Sequence, residues 1–321
     1  MRKTRPWSAD LKPVADADPD RGLPHAAREG QTFAGDRWLV RYANFVRLPH
    51  TVFALPFALL GVVYASRAHT VRVVDGLLVV VAFTAARFVA MGFNRIVDRH
   101  QDARNPRTSG RELPAGRLTL RHAWVAVAAA AVVFVVSAAL LNPLCLLLSP
   151  VALAWVCLYS FTKRWTDWSH AWLGASLAIA PVGGFLAIAG QWSQPAWPLL
   201  ALAGAVGVWV AGFDVFYALQ DEVFDRVEGL RSAVVRLGQA RAIYLAKVAH
   251  WMAVGLLLLF GWGAGWSWPY YGAVILAAGL LVWEHRLVAP GNLSRLDAAF
   301  FTVNGVISVV VLLGAVAERL L

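Results

Sequence analysis

The chain has 321 residues, of which 59% are hydrophobic and only 15% are charged, and its formal net charge is +10. Soluble domains carry about 25% charged residues, so the composition excludes an ordinary soluble protein and indicates one that crosses a membrane many times. The positive balance does not imply nucleic acid, because the basic residues lie between apolar runs, where they set topology and meet anionic lipid or an anionic substrate.

Residues 1–36 are polar, carry Pro6, Pro13, Pro19 and Pro24, and contain no apolar stretch of the kind a secretory signal needs. They are expected to form a disordered cytoplasmic tail. Residues 37–47 are basic and aromatic and are expected to lie at the membrane interface. The remainder, 37–321, reads as one domain of nine spans, each close to the ~20 residues a bilayer needs. The apolar runs are 48–66, 76–93, 123–141, 143–160, 171–189, 197–219, 242–262, 268–288 and 298–317. Pro56, Pro150 and Pro181 fall inside runs, which membrane helices tolerate when neighbours satisfy the freed backbone groups. Cys145 and Cys157 share a run twelve residues apart, roughly 18 Å along a helix, too far for a disulfide.

Lys and Arg set the orientation. With the N-terminus inside, 24 of the 29 basic residues fall in the tail and inner loops, and only Arg67, Arg72 and Arg319 lie outside. The expected product is an all-α integral membrane protein of nine helices around a polar cavity open to the cytoplasm. It would sit in the cell's inner (cytoplasmic) membrane, with the C-terminus outside.

Two stretches carry the chemistry. Asn94, Asp98 and Asp102 are spaced i, i+4, i+8 at the end of the second run, and Tyr217, Asp221 and Asp225 repeat the spacing at the end of the sixth. On a helix such residues share one face. Carboxylates and an amide oxygen are hard ligands of the kind Mg²⁺ takes, usually together with phosphate oxygens of a substrate. Four acids at membrane edges are costly, and two matched arrays read as two halves of one site. Asp98, Asp102, Asp221 and Asp225 are therefore the candidate metal-binding and catalytic residues, with Asn94 and Tyr217 orienting a diphosphate oxygen or a metal-bound water.

A basic loop follows the first array, with Arg99, Arg104, Arg107, Arg111 and Arg117. Guanidinium forks suit diphosphate oxygens, although inner-loop topology by itself accounts for much of this charge. Arg99, Arg107 and Arg111 are the candidates, with Arg99 adjacent to Asp98. The stretch Tyr159-Ser160-Phe161-Thr162-Lys163-Arg164 adds Lys163 and Arg164, and Arg47 precedes the first run. These would bind diphosphate or the carboxylate of a second substrate. The tryptophans near span ends, among them Trp192, Trp197, Trp262 and Trp268, read as an interfacial belt. The eight histidines show no metal-ligand spacing.

At these residues the sequence resembles the UbiA superfamily of intramembrane prenyltransferases. Asn94, Asp98 and Asp102 meet its Asn-x-x-x-Asp-x-x-x-Asp motif. Asp221 and Asp225, with Tyr217 four residues ahead, meet its second motif, and Tyr159 to Arg164 resembles its Tyr-x-x-x-Lys-Arg segment. The resemblance covers about residues 40 to 320 and omits the tail. Asn94 to Gly116 looks most like the 4-hydroxybenzoate polyprenyltransferase branch, including members of the futalosine route to menaquinone, which use a naphthoate. It implies Mg²⁺-dependent transfer of a polyprenyl group from polyprenyl diphosphate to an aromatic acid in quinone biosynthesis. The prenyl tail would lie in membrane lipid, no nucleic acid would take part, and Tyr159, Arg47 and Arg164 would serve substrate binding, the two arginines holding the acceptor's carboxylate. Acceptors such as haem, chlorophyllide or a lipid ether remain open within the same superfamily. Two other classes of membrane protein require patterns that this sequence lacks. An ion-coupled transporter would place acids near span centres, whereas these lie at span ends. A CDP-alcohol phosphotransferase would need an Asp-x-x-Asp-Gly-x-x-Ala-Arg pattern, of which Asp102-Ala103-Arg104 is a fragment.

Overall fold

An apolar run that crosses lipid must satisfy its backbone internally, and a helix does this within one segment. The computed structural model describes residues 32–35, 37–51, 54–287 and 302–321, and every regular element among them is helical. In chain order these are α1 (Trp38–Phe45), a 3₁₀ turn (Leu48–Thr51), α2 (Leu55–Ala65), α3 (Val73–Arg104), α4 (Leu120–Leu141), α5 (Pro143–Trp165), α6 (Ser169–Ala189) and α7 (Trp197–Ala218). A second 3₁₀ turn (Leu219–Asp221) leads to α8 (Glu222–Val227), α9 (Ala233–Leu237), α10 (Gln239–Gly263), α11 (Trp268–Leu287) and α12 (Asn304–Leu320). The expected disordered tail lies almost wholly outside the described residues. At its inner end the backbone of Phe33 exchanges two hydrogen bonds with the side chain of Asn44, at 2.9 and 3.0 Å.

Six helices among the described residues are long and apolar enough to cross a membrane: α3, α4, α5, α6, α10, and α7 taken through to Val227. The other three expected spans coincide with helices that fall short of that mark. α2 has 11 residues and α12 has 17. α11 has 20, but Tyr270 and Tyr271 near its start and Glu284 and His285 near its end dilute its apolar middle.

Two expectations are corrected. The run 48–66 is not one helix: a 3₁₀ turn comes first, and α2 begins only at Leu55, with Pro56 in its first turn. Proline suits that place, where its missing N–H would be unpaired in any case. The second acidic array does not lie on a continuous helix. α7 ends at Ala218, and the chain passes through the tighter turn Leu219–Asp221 before α8. The first array is as expected, since α3 runs unbroken for 32 residues and carries Asn94, Asp98 and Asp102.

α7 is the axis of the bundle. Its apolar window is 67% buried, against 17% for α4 and 11% for α5, which form the outer rim. It packs most extensively on α10 and α6, and Leu199, Leu202 and Val210 are fully buried there. Helices in lipid have no hydrophobic drive to associate, so close approach through small residues matters. α2 and α6 cross at Gly61 and Gly184: a Cβ on either would collide with a main-chain carbonyl of the other helix, Pro181 or Ala58. Several polar groups inside the bundle find partners. Arg87 donates to the Thr51 hydroxyl at 3.1 Å, and the Asn142 side chain, which caps α5, also donates to the Leu186 and Ala187 carbonyls at the end of α6.

Candidate active site

α3 delivers the first acidic array to one end of the bundle, and the turn after α7 delivers the second to the same end. Asn94 donates to Asp98 at 2.8 Å, one helical turn apart. Asp102, buried, receives Arg111 at 2.5 Å and has Arg95 at 3.8 Å. The chain after α3 then crosses to the second array. Arg107 grips Asp221 through two bonds, at 2.8 and 2.5 Å, and Asn105 adds a third at 3.0 Å. Such fork-to-carboxylate geometry is the strong, directional form of the ion pair. The same guanidinium donates to the Tyr217 hydroxyl at 3.1 Å and lies 5.2 Å from its ring centre. Arg47, in the left-handed conformation at φ 48°, also reaches that hydroxyl, at 3.4 Å.

The end of α5 supplies the remaining cations. Lys163 sits 3.5 Å from buried Asp225, and Arg164 sits 3.5 Å from Asp98. Consecutive residues thus link the two arrays. The charge of Lys163 is also felt at Asp221, Asp214 and Asp98, and Tyr159, one turn earlier, is within electrostatic reach of Asp214, Asp98 and Asp225. Arg99, beside Asp98 in sequence, donates to the Ile96 carbonyl of its own helix at 2.8 Å.

Loops cover this end. Arg104 pairs with Glu228 at 2.6 Å, joining the last residue of α3 to the residue that follows α8. Arg231 donates to the Trp165 carbonyl at 2.7 Å, and its backbone N–H donates to the Lys163 carbonyl at 3.0 Å. Thr108 ties back to the Asp102 carbonyl at 3.1 Å.

Among the described residues no group of three or more His, Cys, Asp or Glu side chains is drawn tightly enough to hold a metal ion. Each of the four aspartates instead faces at least one cation of the chain. Their chemistry nevertheless fits a hard divalent ion. One oxygen of Asp225 is buried without a hydrogen-bond partner, with only the longer Lys163 contact beside it. A buried carboxylate oxygen in that condition is costly and suited to a cation.

Sequence reasoning missed Asn105, Arg95, Asp214 and His170. Asp214 lies on α7 two turns before Asp221, and its carboxylate is 2.6 Å from Nδ1 of His170 at the start of α6. An acid within an apolar run is a signal in its own right. His170 is 44 residues away in sequence, so no spacing rule reveals it.

Against known proteins, the profile of the UbiA prenyltransferase family matches residues 54–306. The 4-hydroxybenzoate octaprenyltransferase of Hydrogenovibrio crunogenus is 32% identical over 230 residues, covering 71% of this chain and 78% of that protein. The enzyme of the same name from Escherichia fergusonii is 29% identical over 221 residues, 69% of this chain and 74% of that protein. The apo structure of a UbiA homolog from Aeropyrum pernix K1 superposes with a TM-score of 0.76 at 31% identity, over 84% of this chain and 98% of that one. A UbiA homolog from Archaeoglobus fulgidus bound to DMAPP and Mg²⁺ superposes at 0.64 and 19% identity, over 88% and 99%.

Proposed function

The chain belongs to the UbiA prenyltransferase family, and from that premise we propose that it transfers a polyprenyl group from polyprenyl diphosphate to the ring of an aromatic acid, 4-hydroxybenzoate or a hydroxynaphthoate, in quinone biosynthesis. The observation that carries the reading is the meeting of Asp98, Asp102, Asp221 and Asp225 with Arg107, Arg111, Lys163 and Arg164 at one end of a membrane bundle. Acids and cations in alternation suit a ligand that brings both metal and diphosphate. The relatives' name supports the aromatic acceptor, and the DMAPP- and Mg²⁺-bound neighbour of the same fold supports the donor class and the metal. In this reading the chain crosses the membrane nine times with α2, α11 and α12 included. The site faces the cytoplasm, as the Lys and Arg distribution favours, and the C-terminus lies outside.

Asp98, Asp102, Asp221 and Asp225 would hold Mg²⁺, which when bound offsets the negative charge developing on the departing diphosphate. The chain's own residues do the rest. Arg107, Arg111 and Lys163 exchange carboxylates for phosphate oxygens as the donor arrives, and Asn94, Arg99 and Tyr217 orient the diphosphate. Preorganised donors of this kind stabilise the leaving group without reorganisation at the moment of bond breaking. Tyr159 faces the same space one turn deeper on α5. Arg47 and Arg164 hold the acceptor's carboxylate, which sets the ring carbon ortho to its hydroxyl against the allylic carbon. The loops joined through Arg104 and Glu228 keep water from the allylic cation.

The test is direct. Membranes containing the protein receive Mg²⁺, a labelled polyprenyl diphosphate and a panel of aromatic acids, and products are identified by mass. Prenylated 4-hydroxybenzoate or hydroxynaphthoate is expected. Prenylation of a lipid or haem acceptor with no aromatic-acid product would overturn the reading.

A further inference from the structure

The roles assigned above leave the pair His170 and Asp214 unused. His170, 3% exposed, holds Asp214 through a 2.6 Å contact, and the other ring nitrogen, Nε2, is buried with no hydrogen-bond partner. The imidazole is thus anchored by one strong bond, and that bond is aimed at Asp214. The carboxylate is not sealed away, since 15% of its side chain remains exposed. Asp214 sits two turns before Asp221, roughly 10 Å deeper in the bundle by helical rise. Tyr159 and Lys163 on α5 lie within electrostatic reach of it, and both also face Asp98 and Asp225. Unlike Asp221, held by Arg107 and Asn105, and Asp225, beside Lys163, Asp214 meets no guanidinium or ammonium within ion-pair distance among the described residues. Its partner is an imidazole.

We infer that Asp214 is the base that takes the proton from the prenylated ring, and that His170 is the residue positioning it. The inference rests on the aromatic-acceptor reading above. If the diphosphate occupies the acidic end, the allylic carbon and the acceptor ring lie deeper, at the level of Asp214. The C–O bond of the donor breaks with its electron pair on the diphosphate, and a ring carbon ortho to the phenol forms the new C–C bond. The hydrogen on that carbon leaves as a proton to an Asp214 carboxylate oxygen, and its bonding pair restores aromaticity. An Nδ1–H of His170 donating to the other oxygen fixes the carboxylate's orientation, the third-group role that catalytic bases commonly depend on.

The experiment uses full-length protein in membranes with Mg²⁺, polyprenyl diphosphate, and 4-hydroxybenzoate either unlabelled or deuterated at the positions ortho to the hydroxyl. Asp214→Asn keeps the shape and an acceptor for His170 while removing the base. It is expected to lower kcat by about 10²-fold or more, the usual contribution of general base catalysis, and to expose a primary isotope effect that the wild type lacks. The KM for polyprenyl diphosphate should hold. His170→Gln, which can still donate to Asp214, should retain more activity than His170→Ala, and both should show the isotope effect to a lesser degree. If Asp214→Asn fails to accumulate, the two His170 variants carry the test. Wild type that prenylates the acid, with variants that show no isotope effect, overturns this inference alone. Wild type that prenylates no aromatic acid overturns the acceptor reading and this inference with it.

Discussion

The two acidic arrays have the same spacing and opposite mechanics. The first rides on an uninterrupted helix, and its more exposed acid, Asp98, is 23% exposed, with Asn94 and a 3.5 Å approach from Arg164 for company. The second straddles a break between α7 and α8, and Asp221 is locked by a two-pronged Arg107 and by Asn105. Both locking residues come from the loop that follows the first array. The open array is therefore preformed on rigid helix, and the locked one is held in place by a clamp that a phosphate would have to displace. A 3₁₀ segment within a helical path commonly marks such an adjustable point.

The largest effects should come from the acids themselves. Asp98→Ala and Asp221→Ala are each expected to lower turnover by about 10²-fold or more, since each removes charge from the leaving-group site. Turnover undiminished by EDTA would eliminate the metal from the reading. The two variants should part in stability. Asp221→Ala strands Arg107, which is 5% exposed, and losing the partner of a buried ion pair costs about 3–5 kcal/mol. Asp98→Ala strands nothing buried. Thermal melting in detergent should show a clear drop for Asp221→Ala only, and equal drops would erase the proposed contrast between open and locked.

Arg164→Leu comes next. If this side chain meets the acceptor's carboxylate, its loss should cost about 2 kcal/mol, or roughly 30-fold in the acceptor KM, with less change in the KM for diphosphate. Lysine should restore part of the difference, keeping charge but losing the fork. A larger effect on the diphosphate KM would move Arg164 to the donor side of the site. Arg107→Lys should loosen the lock specifically, raising the KM for diphosphate while leaving Asp221 with one contact in place of two. The smallest effect is expected at Arg104–Glu228. It ties neighbouring stretches of the same end of the bundle but lies in the open, with the Arg104 side chain 52% exposed. A double-mutant cycle should give less than about 1 kcal/mol of coupling. A larger value would mean that the loops are fastened at their surface, and that the Arg107 clamp is not what holds them.

Both arrays were legible because an i, i+4, i+8 pattern of acids at the end of an apolar run has few structural explanations. Lys163, Arg164 and Arg107 were legible as types of group, and the structure supplies their pairings. The break at Leu219–Asp221 was not, because helical phase over eight residues hardly distinguishes a continuous α-helix from one with a single tightened turn. The late start of α2 was signalled by Pro56, which was read as lying inside a span when it marks a first turn. Arg99 adjoins Asp98 in sequence, but neighbours point about 100° apart around a helix, so adjacency does not reveal its bond to the Ile96 carbonyl. His170 and Asn105 act through space on partners 44 and 116 residues away, distances at which local patterns carry no information.

The rim helices have a consequence for how the protein responds to its surroundings. α4 and α5, of 22 and 23 residues, are each about 33–35 Å long, a little more than the ~30 Å hydrocarbon layer. Most of their surface meets lipid, so a thinner bilayer tilts them. Asn142 fastens the outer turn of this hairpin to the end of α6, and the tilt therefore pivots there and emerges at the opposite end of α5. That end carries Lys163 and Arg164, the two cations that touch separate arrays. Hydrophobic mismatch thus acts as a lever on the distance between the halves of the site, and vesicles differing only in acyl-chain length should change turnover with no change in the soluble components.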